Sequence, residues 1–202
     1  MATTIALSVD QRLTFADYLT YSDGTDTLYE LVQGELLPMP LGTGLHGDIS
    51  DFLNMQFQSE IVRLNHPWVA RQMAIGLQSP RGYRWDTCRI PDVMVLPKEQ
   101  WHTLRQREAV ITAGQNPPLL VVEVVSPSTK IIDYRQKRAE YNVLEIPEYW
   151  IVDPLEGKIT ILILVEGLYD AQEFCGDEVL QSPTFPELTL TPKKVLDPAV
   201  ES

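Results

Sequence analysis

The segment from Leu119 to Pro154 limits the fold more than any other part of the chain. It opens with LLVVEVV (119–125) and closes with EYWIVDP (148–154), and a helix-forming stretch from roughly 130 to 144 lies between them. Runs so rich in Val, Leu and Ile are strands buried on both faces in the middle of a sheet. Strand, helix and strand together have the length of a right-handed parallel crossover. Glu123 interrupts the first run. A buried, unpaired carboxylate is costly, so this position requires a partner that makes the charge tolerable.

Around that crossover the pattern is mixed. TFADYL (14–19) predicts a short helix with Thr14 as its cap, and LYELVQGELLPMP (28–40) a hairpin turning at Gln33-Gly34. In GDISDFLNMQFQSEIVRL (47–64), Ile49, Phe52, Leu53, Phe57, Ile61 and Leu64 recur at helical spacing. WVARQMAIGLQ (68–78) and RIPDVMVL (89–96) read as strands joined by the loop SPRGYRWDTC, and residues 98–117 as a loop or lid. KITILILV (158–165) and LYDAQEF (168–174) follow. The expected architecture is a single α/β domain with a central mixed β-sheet flanked by helices. Its expected limits are a flexible N-terminal segment (1–13), a domain over 14–190 and a C-terminal tail (191–202).

Several classes of protein are disfavoured. MATTIALSVDQRLTF lacks the basic start and apolar stretch of a signal peptide, and no apolar run approaches membrane-spanning length. Cys88 and Cys175 have no CxxC spacing, which suits a reducing interior, so the expected location is cytoplasmic with no membrane contact. The net charge of −12 argues against nucleic acid, but its distribution argues for it. Residues 63–138 hold twelve Lys and Arg against six Asp and Glu, and both flanks are acidic. Arg71, Arg81, Arg84, Arg89, Lys130, Arg135, Lys137 and Arg138 fall in this island. Counterion release depends on the contact face rather than on total charge. A solvated patch is the plainer account of the same residues.

Three ionisable residues stand where the pattern calls for apolar ones. Glu123 is the first, and Asp92, inside RIPDVMVL, is the second. The third is Lys137, which shares a helix face with Tyr134, Tyr141 and Leu144, while Arg135, Gln136 and Glu140 point elsewhere. Each has an ordinary reading: a turn residue after proline, half of a structural ion pair, a snorkelling lysine. Taken together, two carboxylates on neighbouring strands and a cation from the crossover helix form a compact site. Hard oxygen ligands of that kind suit Mg2+ or Mn2+. Beside a basic surface, such a site suggests phosphodiester hydrolysis. Paired carboxylates also serve glycosidases, but the lysine and the basic island have no role there.

The string PDV…LLVVEVVSPST…DYRQKRAEY…IPEYWIVDP, with YELVQGELLPMP and a following His46, resembles a family of small restriction-endonuclease-like proteins abundant in cyanobacteria. That family, formerly a domain of unknown function, lies in the PD-(D/E)xK nuclease superfamily. The likeness covers roughly residues 12–170 and implies a restriction-endonuclease-like fold. It implies that Asp92 and Glu123 are the motif acids, and that the main-chain carbonyl of Val124 helps to hold the metal. The superfamily lysine normally lies two residues after the second acid, where this chain has Val125. Within the family it comes from the next helix, which makes it Lys137. The resemblance also places Glu30 and Glu35 at acidic positions, with Glu35 the favoured extra ligand. His46 matches the family's histidine, either touching phosphate or capping a helix. The family often has glycine where this chain has Glu145.

Ser128 or Thr129 is expected to cap the crossover helix, and with His46, Arg89, Arg135 and Arg138 Ser128 is also a candidate for touching substrate. Asp133, four residues before Lys137, offers that lysine a competing helix pair. The expected activity is Mg-dependent cleavage of DNA by a homodimer, with KITILILV as a possible interface edge. The alternative is a nuclease-fold protein that binds nucleic acid or protein without cutting.

Overall fold

The computed structural model describes residues 12–39 and 42–198. Of the expected terminal segments, residues 1–11 and 199–202 lie outside the described residues. In chain order the strands are β1 (Tyr29–Val32), β2 (Glu35–Pro38), β3 (Trp68–Gln72), β4 (Gly76–Arg81), β5 (Arg84–Arg89) and β6 (Val93–Pro97). They continue with β7 (Val110–Ile111), β8 (Leu120–Val124), β9 (Glu148–Asp153), β10 (Lys158–Val165) and β11 (Leu168–Cys175). The helices are α1 (Phe15–Leu19), α2 (Gly44–Arg63), α3 (Lys98–Leu104), α4 (Arg138–Val143) and α5 (Pro192–Leu196), and a π-helical turn, Ile132–Lys137, runs directly into α4.

The crossover sits at the centre, as its composition requires. β8 and β9 pair in parallel, in a six-stranded sheet ordered β11-β10-β9-β8-β6-β3. Alternate residues of these strands face two separate cores. Val93, Val95, Leu120, Val122 and Val124 pack with Ile49, Leu53 and Phe57 of α2. Met94, Leu96, Val121 and Val125 pack with Tyr141 of α4 and Tyr149 of β9. Trp150 belongs to the α2 side, where Phe57 meets its ring edge-on and stacks on Phe185.

The single expected sheet is in fact two. A second sheet, ordered β2-β1-β5-β4-β7, lies over the side that carries α4. Two readings fail together here. WVARQMAIGLQ is broken at Met73, whose φ of 44° is left-handed and whose N–H binds the Asp92 carbonyl, so β3 and β4 enter different sheets. SPRGYRWDTC is largely a hairpin, with β4 and β5 paired antiparallel from Leu77 opposite Arg89 to Arg81 opposite Arg84. KITILILV is no edge either, since β10 pairs with both β9 and β11.

Other elements form for local reasons visible in the sequence. Thr14 and Asp17 make a reciprocal capping box on α1. Gln33 and Gly34 have φ of 53° and 83°, the two positive values of a type I′ hairpin turn. Thr43, accepting from the His46 N–H, starts α2 a turn earlier than the periodicity predicts. Where the sequence predicts a tail from 191, Thr191 caps α5, which buries Val195 against the α2-side core. Among the described residues no helix is long and apolar enough to cross a membrane.

Candidate active site

The site forms at the carboxyl end of β8, where the strand leaves the sheet. Val93 pairs with Val122 across β6 and β8, and one further step of that antiparallel register sets Asp92 opposite Glu123. Side chains that alternate along a strand put both acids on the α4 face. Asp92 is fixed there by the Val124 N–H, which donates to its Oδ2 at 2.7 Å. N–H and C=O of one strand residue point to the same side, which directs the Val124 carbonyl to the β6 side of β8.

The crossover helix supplies the cation. Lys137 is 6% exposed and donates from Nζ to Glu123 Oε2 at 2.7 Å. Its other neighbours are Asp133 Oδ1 at 3.3 Å and Glu30 Oε1 at 4.0 Å. Tyr141, one turn on, donates its hydroxyl to Glu123 Oε1 at 2.5 Å. Glu123 therefore meets an ammonium and a phenol, which is how the apolar strand tolerates it. From the opposite layer, the His46 Nε2 lies 2.9 Å from Asp92 Oδ1, while its Nδ1 is buried without a hydrogen-bond partner among the described residues.

Acids outnumber cations in this cluster, and protons are held tightly as a result. Burial raises the Glu123 carboxyl well above its ordinary value; Lys137 opposes the rise, and the charges of Asp92, Asp133 and Glu30 add to it. Burial alone would lower the Lys137 ammonium, but Glu123, Glu30, Asp133 and Asp92 together raise it. Burial also raises Asp133 against the pull of Lys137, and the Asp92 hydrogen bond raises His46.

These features fit a divalent cation in charge and donor type. The oxygens are hard, the acidic excess is buried, and Asp133 Oδ2 has no hydrogen-bond partner among the described residues. A carboxylate oxygen has room for two partners, so the bonds already made to Asp92 and Glu123 leave capacity for a cation. Among the described residues no three His, Cys, Asp or Glu converge as a ready ligand set. The arrangement suits an ion that takes few protein ligands and keeps several waters.

A family model described as "Uma2: Putative restriction endonuclease" matches residues 15–193. This chain belongs to the Uma2 family. A structural likeness agrees with that membership. A crystal structure from Anabaena variabilis ATCC 29413, titled as that of "a putative nuclease belonging to DUF820", aligns with a TM-score of 0.72 over 92% of this chain and 98% of that one. At 17% identity, that likeness concerns the fold. An uncharacterised protein of Synechocystis sp. (strain ATCC 27184 / PCC 6803 / Kazusa) is 27% identical over 150 residues, 74% of this chain and 79% of that protein.

Other residues singled out from the sequence are placed unevenly in this Uma2 chain. Glu35 is exposed and paired with Arg12 at 3.7 Å, away from the cluster. Glu30, the less favoured acid, is the one beside Lys137, held by the Ile90 N–H and by Arg89. Arg89 is 1% exposed and grips Glu140 through two bonds of 2.8 and 2.9 Å, so it presents nothing to a phosphate. Glu140, expected to point elsewhere, is buried as its partner. Ser128 is exposed and bonded to Ser126, and Thr129 accepts from the Ser126 N–H, so neither side chain caps the π-helical turn. Arg135 is exposed, and Arg138 donates to the Tyr169 carbonyl. Sequence reasoning missed Asp133 as a site residue, although its four-residue spacing from Lys137 was in view.

Proposed function

We propose that this protein is a cytoplasmic, homodimeric DNA endonuclease that uses Mg2+ or Mn2+ to hydrolyse phosphodiester bonds. The observation that carries the reading is the convergence of Asp92, Glu123 and Lys137, with Asp92 pinned to the backbone N–H next to Glu123. Asp92, Glu123 and the Val124 carbonyl would hold the cation. A bound cation supplies Lewis acidity to the scissile phosphate and lowers the pKa of water. Lys137, kept charged by the surrounding acids, stabilises negative charge that develops at phosphorus. His46 holds Asp92 from the α2 side and fixes its rotamer. Arg135 on the exposed face of the π-helical turn, and Arg81, which binds Gln136 of the same turn at 3.0 Å, set positive charge beside the site.

Purified protein should cut plasmid DNA with Mg2+ or Mn2+ and stop on chelation, and light scattering should give twice the monomer mass. A protein that binds DNA in a salt-sensitive way, yet neither binds a divalent cation nor cuts, would replace this reading with the binding module. The observation favouring that second reading is Glu123, whose two oxygens are already engaged by Lys137 and Tyr141.

A further inference from the structure

Asp133 is the buried acid to which the catalytic reading assigns no task. Its side chain is 2% exposed, and Oδ1 faces the Lys137 ammonium at 3.3 Å. Oδ2 is buried and has no hydrogen-bond partner among the described residues. The nearby Thr129 hydroxyl accepts the Ser126 N–H and shares a contact with the Ser126 hydroxyl, and it lies close enough to Asp133 to pull that carboxyl down without bonding Oδ2. A carboxylate oxygen stripped of water and left without a donor is destabilising, and native structures keep such groups only with a reason. The backbone here is unusual too, because Asp133 and Lys137 lie on the same π-helical turn, a rare geometry that recurs at functional sites. The turn brings both side chains inward, and the Asp133 charge is felt at Glu123 and at His46.

We propose that Asp133 is a third carboxylate of the cation site, with Oδ2 accepting hydrogen bonds from the water shell of a divalent cation held by Asp92 and Glu123. The inference rests on the cation reading above. No three acids converge as direct ligands among the described residues, so water must complete the coordination. Those waters are donors in need of acceptors, and Oδ2 is a buried acceptor without a donor. Outer-shell partners of this kind typically change metal affinity by about ten- to a hundredfold when removed.

The test is Mn2+ binding by calorimetry to the full chain and to Asp133→Asn, with thermal melts of both proteins free of metal. The expected result is Mn2+ affinity weakened by about tenfold or more, with a metal-free melting temperature equal to or above that of the unaltered chain. Equal Mn2+ affinity in both proteins, or a weaker affinity accompanied by a lower metal-free melting temperature, overturns the role of Asp133 and reduces it to a structural partner of Lys137. Absence of Mn2+ binding by the unaltered chain instead overturns the cation reading itself. Should the variant not fold, crystals of the unaltered chain soaked in Mn2+ decide the matter. An anomalous peak one water away from Asp133 Oδ2 supports the proposal, and a peak beyond the reach of one water overturns it.

Discussion

Lys137 reaches back along the chain to set its Nζ 2.7 Å from Glu123 Oε2, in a pocket where Asp133 and Glu30 share the same ammonium. One cation thus serves three carboxylates. Its removal leaves buried acids without compensation, and breaking a buried pair in this way costs roughly 3–5 kcal/mol. Lys137→Met is therefore expected to lose about that much stability in urea unfolding. Added Mg2+ should restore a larger share of stability in the variant than in the unaltered chain. An unchanged unfolding midpoint would contradict this account of Lys137.

The same cluster gives a sign to the pH dependence of metal-free stability. Glu123 and Asp133 are raised by burial, and His46 by its hydrogen bond to Asp92. Each group binds protons more tightly in the folded than in the unfolded chain. Their contribution is fully present below the ordinary values and is lost as pH rises through the folded ones. The melting temperature of metal-free protein should fall as pH increases from about 5 towards neutrality and beyond. The Mg2+-induced rise should grow over the same interval, because the cation replaces protons. A melting temperature that climbs with pH in the absence of metal would refute this.

Arg89 and Arg135 belong to one basic island in sequence and to different environments in the fold. Arg89 is buried between Glu140 and Glu30, while Arg135 is exposed on the π-helical turn. Arg89→Leu should cost about 3–5 kcal/mol of stability and leave the salt dependence of DNA binding unchanged. Arg135→Ala should leave stability unchanged and reduce the salt slope by about 1. Filter binding across a salt series separates the two.

The crossover and its acids were legible because long apolar runs tolerate few arrangements. The second sheet was not. Its strands depend on Met73 adopting a left-handed backbone that no residue preference signals, and on a polar hairpin buried through the Arg89–Glu140 pair. Glu30 and Glu35 share one face of the hairpin, and the choice between them turned on which of its two strands pairs with β5, a tertiary fact absent from the local pattern. Likewise, Asp133 shares the Lys137 face at four-residue spacing in any helical reading, but that this part of the face is buried among other acids depends on packing that the local pattern does not carry.

Glu145 follows α4 with φ of 55°, the left-handed position at which helices commonly end in glycine. It is exposed, so no packing is lost by removing its side chain. Glu145→Gly should stabilise the protein by about 0.5–1 kcal/mol, the relief of left-handed strain less the entropy of glycine. A lower urea midpoint would contradict this.

Asp92 is the acid whose loss leaves the Glu123–Lys137 pair intact, so cleavage by Asp92→Asn tests the central claim most directly. In a Mg2+-dependent plasmid assay, with folding checked by circular dichroism, the variant should lose about 10²–10³-fold or more of its rate. Cleavage undiminished in a folded Asp92→Asn protein would contradict the assignment of this cluster as a nuclease site.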